Sequence, residues 1–262
     1  MRRLLAEMAW PEVARAVAGG ATTLILPLGA TEQHGPHLPL GTDTFRAGAL
    51  AERLVAQLPE ALVAPALPVG CSDEHAGFAG LLSLDHATLA NVIVNCAHRV
   101  AAWGIQRLVL LSAHGGNGQA LTLAAARLAE ELPALRVWIP GATITLSPGM
   151  LAVAQADGIS EVAVGLHAGE GETSEMLHLH PDLVRMERAA PGYLGSPDEV
   201  VPRLMQSGLR AVAASGVLGD PGWARGARGQ RYLEAEVAEY RRRLEEEGED
   251  VGRAAPPTSR HA

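Results

Sequence analysis

Apolar residues in this chain fall into short unbroken runs and into longer stretches spaced for a helix. Residues 22–28 (TTLILPL) form such a run, closed by Gly29, Ala30 and Thr31. An uninterrupted run of this length predicts a strand buried on both faces. Residues 107–112 (RLVLLS) and 135–139 (LRVWI) predict two more strands, and 61–69 (ALVAPALPV) a strand interrupted by prolines. Between them, residues 43–58, 87–103 and 120–132 carry apolar side chains at helical spacing, and Gly104 is placed to stop the second of these helices. Residues 229–248 predict a charged helix with three consecutive arginines and three consecutive glutamates. The Gly/Ser/Thr-rich stretch 140–165 reads as an active-site loop region with one helix around residues 150–156.

Strands and helices thus alternate, which predicts an α/β fold with a mostly parallel sheet and helices on both faces. One domain is expected over residues 1–248, followed by a flexible C-terminal tail at 249–262 that ends VGRAAPPTSRHA. Composition agrees: 48% of the 262 residues are hydrophobic, enough for a large core, while aromatics at 3% suit Ala/Leu-rich helices on a sheet better than an aromatic-cored sandwich. No apolar run approaches the roughly 18 residues of a membrane span, and MRRLLAEMAW lacks the apolar stretch of a signal peptide, so a cytoplasmic protein with no membrane partner is expected. The net charge of -8 gives no footprint for nucleic acid. Cys71 and Cys96 have no metal-knuckle or redox spacing and read as reduced structural thiols.

Chemistry concentrates after two of the predicted strands. Glu32 and His34 alternate in extended chain and so project to one side, with His37 and Asp43 a short Gly/Pro-stiffened loop later. His114 follows the strand at 107–112. Both groups therefore fall where open α/β sheets place their sites, outside the carboxyl ends of strands. A lone histidine or aspartate in such a loop is commonly a turn or cap residue; the cluster points instead to metal ligation. The segment HAGEGETSE (167–175) adds His167 and Glu172, although its plain reading is a helix start in which Thr173 and Ser174 cap and Glu175 lies in the first turn. Glu32, Asp43 and Glu172 with one bridging hydroxide balance two divalent ions, whereas one ion would leave excess negative charge. Carboxylate and imidazole donors without thiolate suit zinc, manganese or iron.

LPLGATEQHGPHLPLGTD (26–43), AHGGNG (113–118), HAGEGETS (167–174) and GVLGDP (216–221) resemble, in order and spacing, the motifs of the creatininase family. The resemblance implies a three-layer α/β/α sandwich, usually a homohexamer, with a dinuclear metal centre. It places Glu32, His34, Asp43 and His114 on ligand positions, with Asp43 bridging, and Glu172 on a further ligand position. His167 falls where a general base or proton shuttle is proposed. Creatininase proper has a ligand glutamate where this chain has Gly116, and a ring-enclosing tryptophan where it has Ala163. The HGGN form is similar to branches acting on formamides or on the mycofactocin precursor peptide, and SDEHAGFAG (72–80) resembles the latter.

The expected function is therefore hydrolysis of a small or short-peptide amide by a metal-activated hydroxide. His75 and Glu74 are expected to contact substrate and His37 to orient a ligand by hydrogen bond. Creatininase and formamide deformylase activities are the alternatives within the family. Two rivals lie outside it: a non-catalytic metal-binding assembly protein, and a phosphoesterase, whose phosphate-clamping Arg or Lys the ligand segments lack.

Overall fold

The computed structural model describes residues 3–140 and 146–253. In chain order the elements are α1 Trp10–Ala18, β1 Thr23–Leu28, α2 Thr42–Gln57, β2 Ala61–Val63, α3 His86–Ala102, β3 Arg107–Ser112, α4 Gly118–Glu131 and β4 Arg136–Trp138. There follow α5 Pro148–Ala156, α6 Glu161–Val164, α7 Glu170–Leu179, α8 Pro197–Ser207, α9 Leu209–Val212 and α10 Gly226–Arg253. Among the described residues the strands form one sheet in the order β2-β1-β3-β4. All pairings are parallel, with Ile25 opposite both Val63 and Val109, and Val109 opposite Trp138.

Alternation along the strands divides the core in two. Leu24, Leu26, Leu28, Leu62, Leu108 and Leu110 face α3 and α4, meeting Leu89, Ile93, Leu121 and Leu128. Ile25, Val63, Val109, Leu111 and Trp138 face the other way, onto Leu50 and Leu54 of α2 and Leu233, Val237 and Tyr240 of α10. Helices on both faces leave no solvated side, which is why the strands read as continuous apolar runs. The result is the expected α/β/α layering.

The chain leaves β1 through α2 to reach β2, then returns across β1 through α3 to reach β3. Successive connections thus run in opposite directions from β1, and the carboxyl ends of β1 and β3 flank the switch point where such sheets bind ligands.

Three of the predicted elements take other bounds than expected, and α1, α8 and α9 are not among those predicted. The second strand ends at Val63, because Pro65 and Pro68 have no N–H to give to a ladder; after Ala64 N, which donates to Ile25 O at 2.9 Å, contact with β1 resumes where Leu67 N donates to Pro27 O at 3.0 Å. Helix α7 starts at Glu170 with Gly169 as its N-cap, so Thr173, Ser174 and Glu175 lie inside it. Their side chains serve tertiary partners: Ser174 Oγ accepts from Arg225 N at 2.9 Å, and Thr173 Oγ1 lies 2.9 Å from His37 Nε2. Helix α10 runs from Gly226 to Arg253, through the start of the stretch expected as tail. The remainder of that tail, 254–262, lies outside the described residues, as do 141–145 of the expected loop region.

Candidate metal centre

Close approach at the end of β1 sets the site. A Cβ on Gly29 would lie 2.5 Å from Thr44 Cα, so only glycine lets the first turn of α2, which carries Asp43, sit against the strand exit. Beyond it the 32–40 loop folds back on itself through Gly35 (φ 64°), with Glu32 N donating to Leu40 O. This turn buries Glu32 and His34 completely. Asn117 fastens the neighbouring exit: its amide accepts from Cys71 N at 2.9 Å and donates to Gly29 O and Ser112 Oγ, each at 3.1 Å. The ends of β1 and β3 and the segment at Cys71 are thereby tied by one side chain.

His34 Nε2 lies 3.2 Å from Asp43 Oδ1 and 3.7 Å from Glu172 Oε2. His114 lies 3.3 Å from Glu32 Oε2 through Nε2 and 3.4 Å from Asp43 Oδ2 through Nδ1. Four groups of donor atoms within 4.8 Å of one another occur among the described residues: Glu32–Asp43–His114 and His34–Asp43–Glu172, which share Asp43, and Glu32–His34–His167 and Glu32–Glu74–His75. Both Glu32 oxygens and Asp43 Oδ2 are buried without a hydrogen-bond partner among the described residues. Buried carboxylate oxygens in that condition are costly unless a cation takes them up. Hard oxygens and imidazoles in this number fit divalent first-row ions.

The electrostatics agree with that fit. Burial pushes the Glu32 carboxyl up to about 8. Burial acts to lower His34 and His114, but the surrounding carboxylates outweigh it: Asp43 and Glu172 raise His34 to about 9, and Glu32 and Asp43 raise His114 to about 10. Asp43 is held well below the usual carboxylate range by His34 and His114, against its burial. Without metal, the ligand set therefore retains protons that an ion would displace.

His167 is buried, with Nε2 2.7 Å from the Gln33 carbonyl and 3.1 Å from the Gln33 side-chain amide; since the closer carbonyl can only accept, it favours the tautomer with the proton on Nε2, in which Nδ1, 3.8 Å from Glu32 Oε1, is the free nitrogen. Burial, reinforced by the nearby His34, lowers it to about 4. His75 is buried beneath Glu32, with Nε2 3.2 Å from Oε1 and Nδ1 3.2 Å from the Gln33 amide. His37 is buried and partners Thr173, next to Glu172, not a ligand side chain. Glu74 Oε1 lies 3.5 Å from His114 Nε2. Neither His75 nor Glu74 is among the residues lining the main cleft, which include Asp43, His114, His167 and Glu172 together with Leu50, Leu146, Met150, Leu166 and Tyr240.

Sequence reasoning missed Arg46. Its guanidinium donates to Glu172 Oε1 at 2.8 Å, to Ala113 O at 3.3 Å and to Glu175 Oε2, linking α2, α7 and the exit of β3. Against the burial of the acid, Arg46 and His34 hold Glu172 low. Glu236 of α10 stands behind Glu175, and burial beside that second carboxyl raises it well above the ordinary range, so it holds its proton. Arg46 follows Asp43 by one helical turn, a spacing that could have pointed to it; its partners on α7 and α10 are distant in sequence.

Fold and site together define an α/β protein with a carboxylate–imidazole centre at the switch point of a parallel sheet. The creatininase family profile, described as creatinine amidohydrolase, matches residues 6–244, and the chain belongs to that family of hydrolases acting on amide bonds. Mycofactocin precursor peptide peptidases of Mycobacterium tuberculosis and Mycolicibacterium smegmatis are each 38% identical to it. These matches cover 85% and 80% of this chain, and 84% and 79% of the relatives. The creatinine amidohydrolase of Pseudomonas putida is 33% identical over 75% of this chain and 80% of its own length. A crystal structure of creatinine amidohydrolase is similar with a TM-score of 0.75 at 28% identity, over 94% of this chain and 98% of that one. A structure titled as a manganese creatininase gives the same TM-score and identity.

Proposed function

We propose that this chain is a dinuclear metal-dependent amidohydrolase that cleaves a short peptide related to the mycofactocin precursor. One ion is held by Glu32, Asp43 and His114 and the other by His34, Asp43 and Glu172. The observation that carries the reading is Asp43, shared by two ligand groups, with its Oδ2 and both oxygens of Glu32 buried without hydrogen-bond partners among the described residues. Two zinc, manganese or iron ions at such a site supply a water of lowered pKa and polarise an amide carbonyl.

The chain's own groups do the rest. His167, neutral above about pH 4, has Nδ1 free to accept a proton and pass it to the departing amine, which cannot leave unprotonated. His75 and Gln33 hold Glu32 and His167 in register. His37 steadies α7 through Thr173, and Arg46 fixes Glu172. The apolar cleft wall of Leu50, Leu146, Met150, Leu166 and Tyr240 offers peptide side chains a surface.

No tryptophan is among the described lining residues, which disfavours enclosure of a flat creatinine ring. A phosphoesterase is disfavoured because the two arginines among the described lining residues are paired with carboxylates, Arg46 with Glu172 and Glu175 and Arg243 with Glu239. On resemblance, the proposal extends to a cytoplasmic homohexamer.

The test is a hydrolysis panel of mycofactocin precursor peptide, formamides and creatinine, with zinc, manganese or iron restored to metal-free protein. Metal-dependent peptide cleavage is expected. Full metal uptake with no hydrolysis of any substrate would favour a non-catalytic metal-binding protein.

A further inference from the structure

Gly116 sits in the turn after His114, in a space that admits no side chain. A Cβ there would overlap the Cys71 carbonyl oxygen and His114 Nε2, and would come within 2.6 Å of Glu74 Oε1. What the missing side chain admits is the Glu74 carboxylate. Glu74 is carried on the 3-10 turn Asp73–His75, with Oε1 3.9 Å from His75 Nε2 and 3.5 Å from His114 Nε2, a nitrogen that also lies 2.8 Å from the Cys71 carbonyl. Glu32, Glu74 and His75 offer ligand atoms within 4.8 Å of one another. Glu32 is fully buried, and neither of its oxygens has a hydrogen-bond partner among the described residues; of these, His75 and His114 are its only neighbours in ion-pair range besides His167, and its carboxylate faces the same space as Glu74.

The turn is braced from behind. Ser83 Oγ accepts from Ser72 N at 2.9 Å and donates to Asp73 Oδ1 at 2.6 Å, while Cys71 N donates to Asn117 Oδ1. Glu74 is thus delivered by a fixed backbone, and the side chain of His75 is already committed to Glu32 and Gln33. Since Glu74 does not line the cleft, contact with substrate is the weaker account of it.

We propose that Glu74 joins Glu32 as a further ligand of its ion, in the space left by Gly116. This rests on the metal centre proposed above. Its test is titration of metal-free protein with Mn2+, read by calorimetry and by the electron paramagnetic resonance of bound manganese. Wild type should take two ions. Glu74→Gln should weaken one of them by at least about tenfold and leave the other unchanged, and Glu74→Asp, which keeps the charge, should recover part of the loss. Two wild-type affinities in Glu74→Gln would overturn the assignment. A wild-type chain that binds one ion would overturn the two-ion reading instead; Glu74 would then stand or fall on whether Glu74→Gln weakens that ion. A wild-type chain that binds none overturns both.

Discussion

At the scale of the residue, Asp43 and His34 should separate by stoichiometry. Asp43→Ala removes a donor from both ligand groups, so metal analysis should find neither ion retained. His34→Ala removes a donor from one group, so one ion should remain while turnover is lost. Equal metal content in the two variants would contradict a shared aspartate. His167→Ala should keep the metal and lower kcat by about 10²- to 10⁴-fold, the usual contribution of a positioned proton carrier; unchanged kcat removes it from the mechanism. The proton inventory gives a further expectation. Raised values for Glu32 (about 8), His34 (about 9) and His114 (about 10) favour the protonated forms in metal-free protein, and an ion must displace those protons. Metal affinity should therefore rise with pH up to about 10 and fall below about 8 as all three groups hold protons. Calorimetry in buffers of different ionisation enthalpy should register proton release on binding; a pH-independent affinity would contradict these protonation states.

At the scale of the element, what could be read from sequence depended on how local the cause was. The strands Thr23–Leu28 and Arg107–Ser112 were legible because burial on both faces writes itself into consecutive residues. Helix α3 was legible because its apolar spacing and its stop are local, with Gly104 (φ 106°) following its end; its N-cap Asp85, which accepts from Thr88 N at 2.8 Å, emerges only from the structure. The start of α7 was misplaced because Thr173 and Ser174 look like caps until their partners, His37 and Arg225, come from other parts of the chain. The amphipathic α1 and the pair α8 and α9 went unpredicted, the last two flanking Gly208 and with Pro202 inside α8. Two substitutions separate element stability from site geometry. Asp85→Ala should lower the denaturant midpoint and leave metal content unchanged, since it removes a helix cap and none of the proposed ligands. Gly29→Ala forces α2 away from β1, so it should lose metal as well as about 1–3 kcal/mol. Full metal content in that variant would show that the helix start can retreat without moving Asp43.

At the scale of the whole molecule, the candidate ligands come from β1, α2, β3 and α7, and resemblance brought together residues that no local pattern connects. Their backing reaches further. Arg46 braces Glu172 and Glu175, the protonated Glu236 of α10 stands against Glu175, and Tyr232 Oη of the same helix donates to Glu170 Oε2 at 2.7 Å. Helix α10 thus supports α7 along the side away from the ligands. The six proposed ligands all lie at or before Glu172, yet the helix that secures the last of them is made some fifty residues afterwards. A nascent chain emerging from the ribosome would therefore expose its complete set of donors before it could hold them in place. Durable metal loading should wait until synthesis has passed α10, and a chain clipped ahead of that helix should leak its ions with every ligand intact.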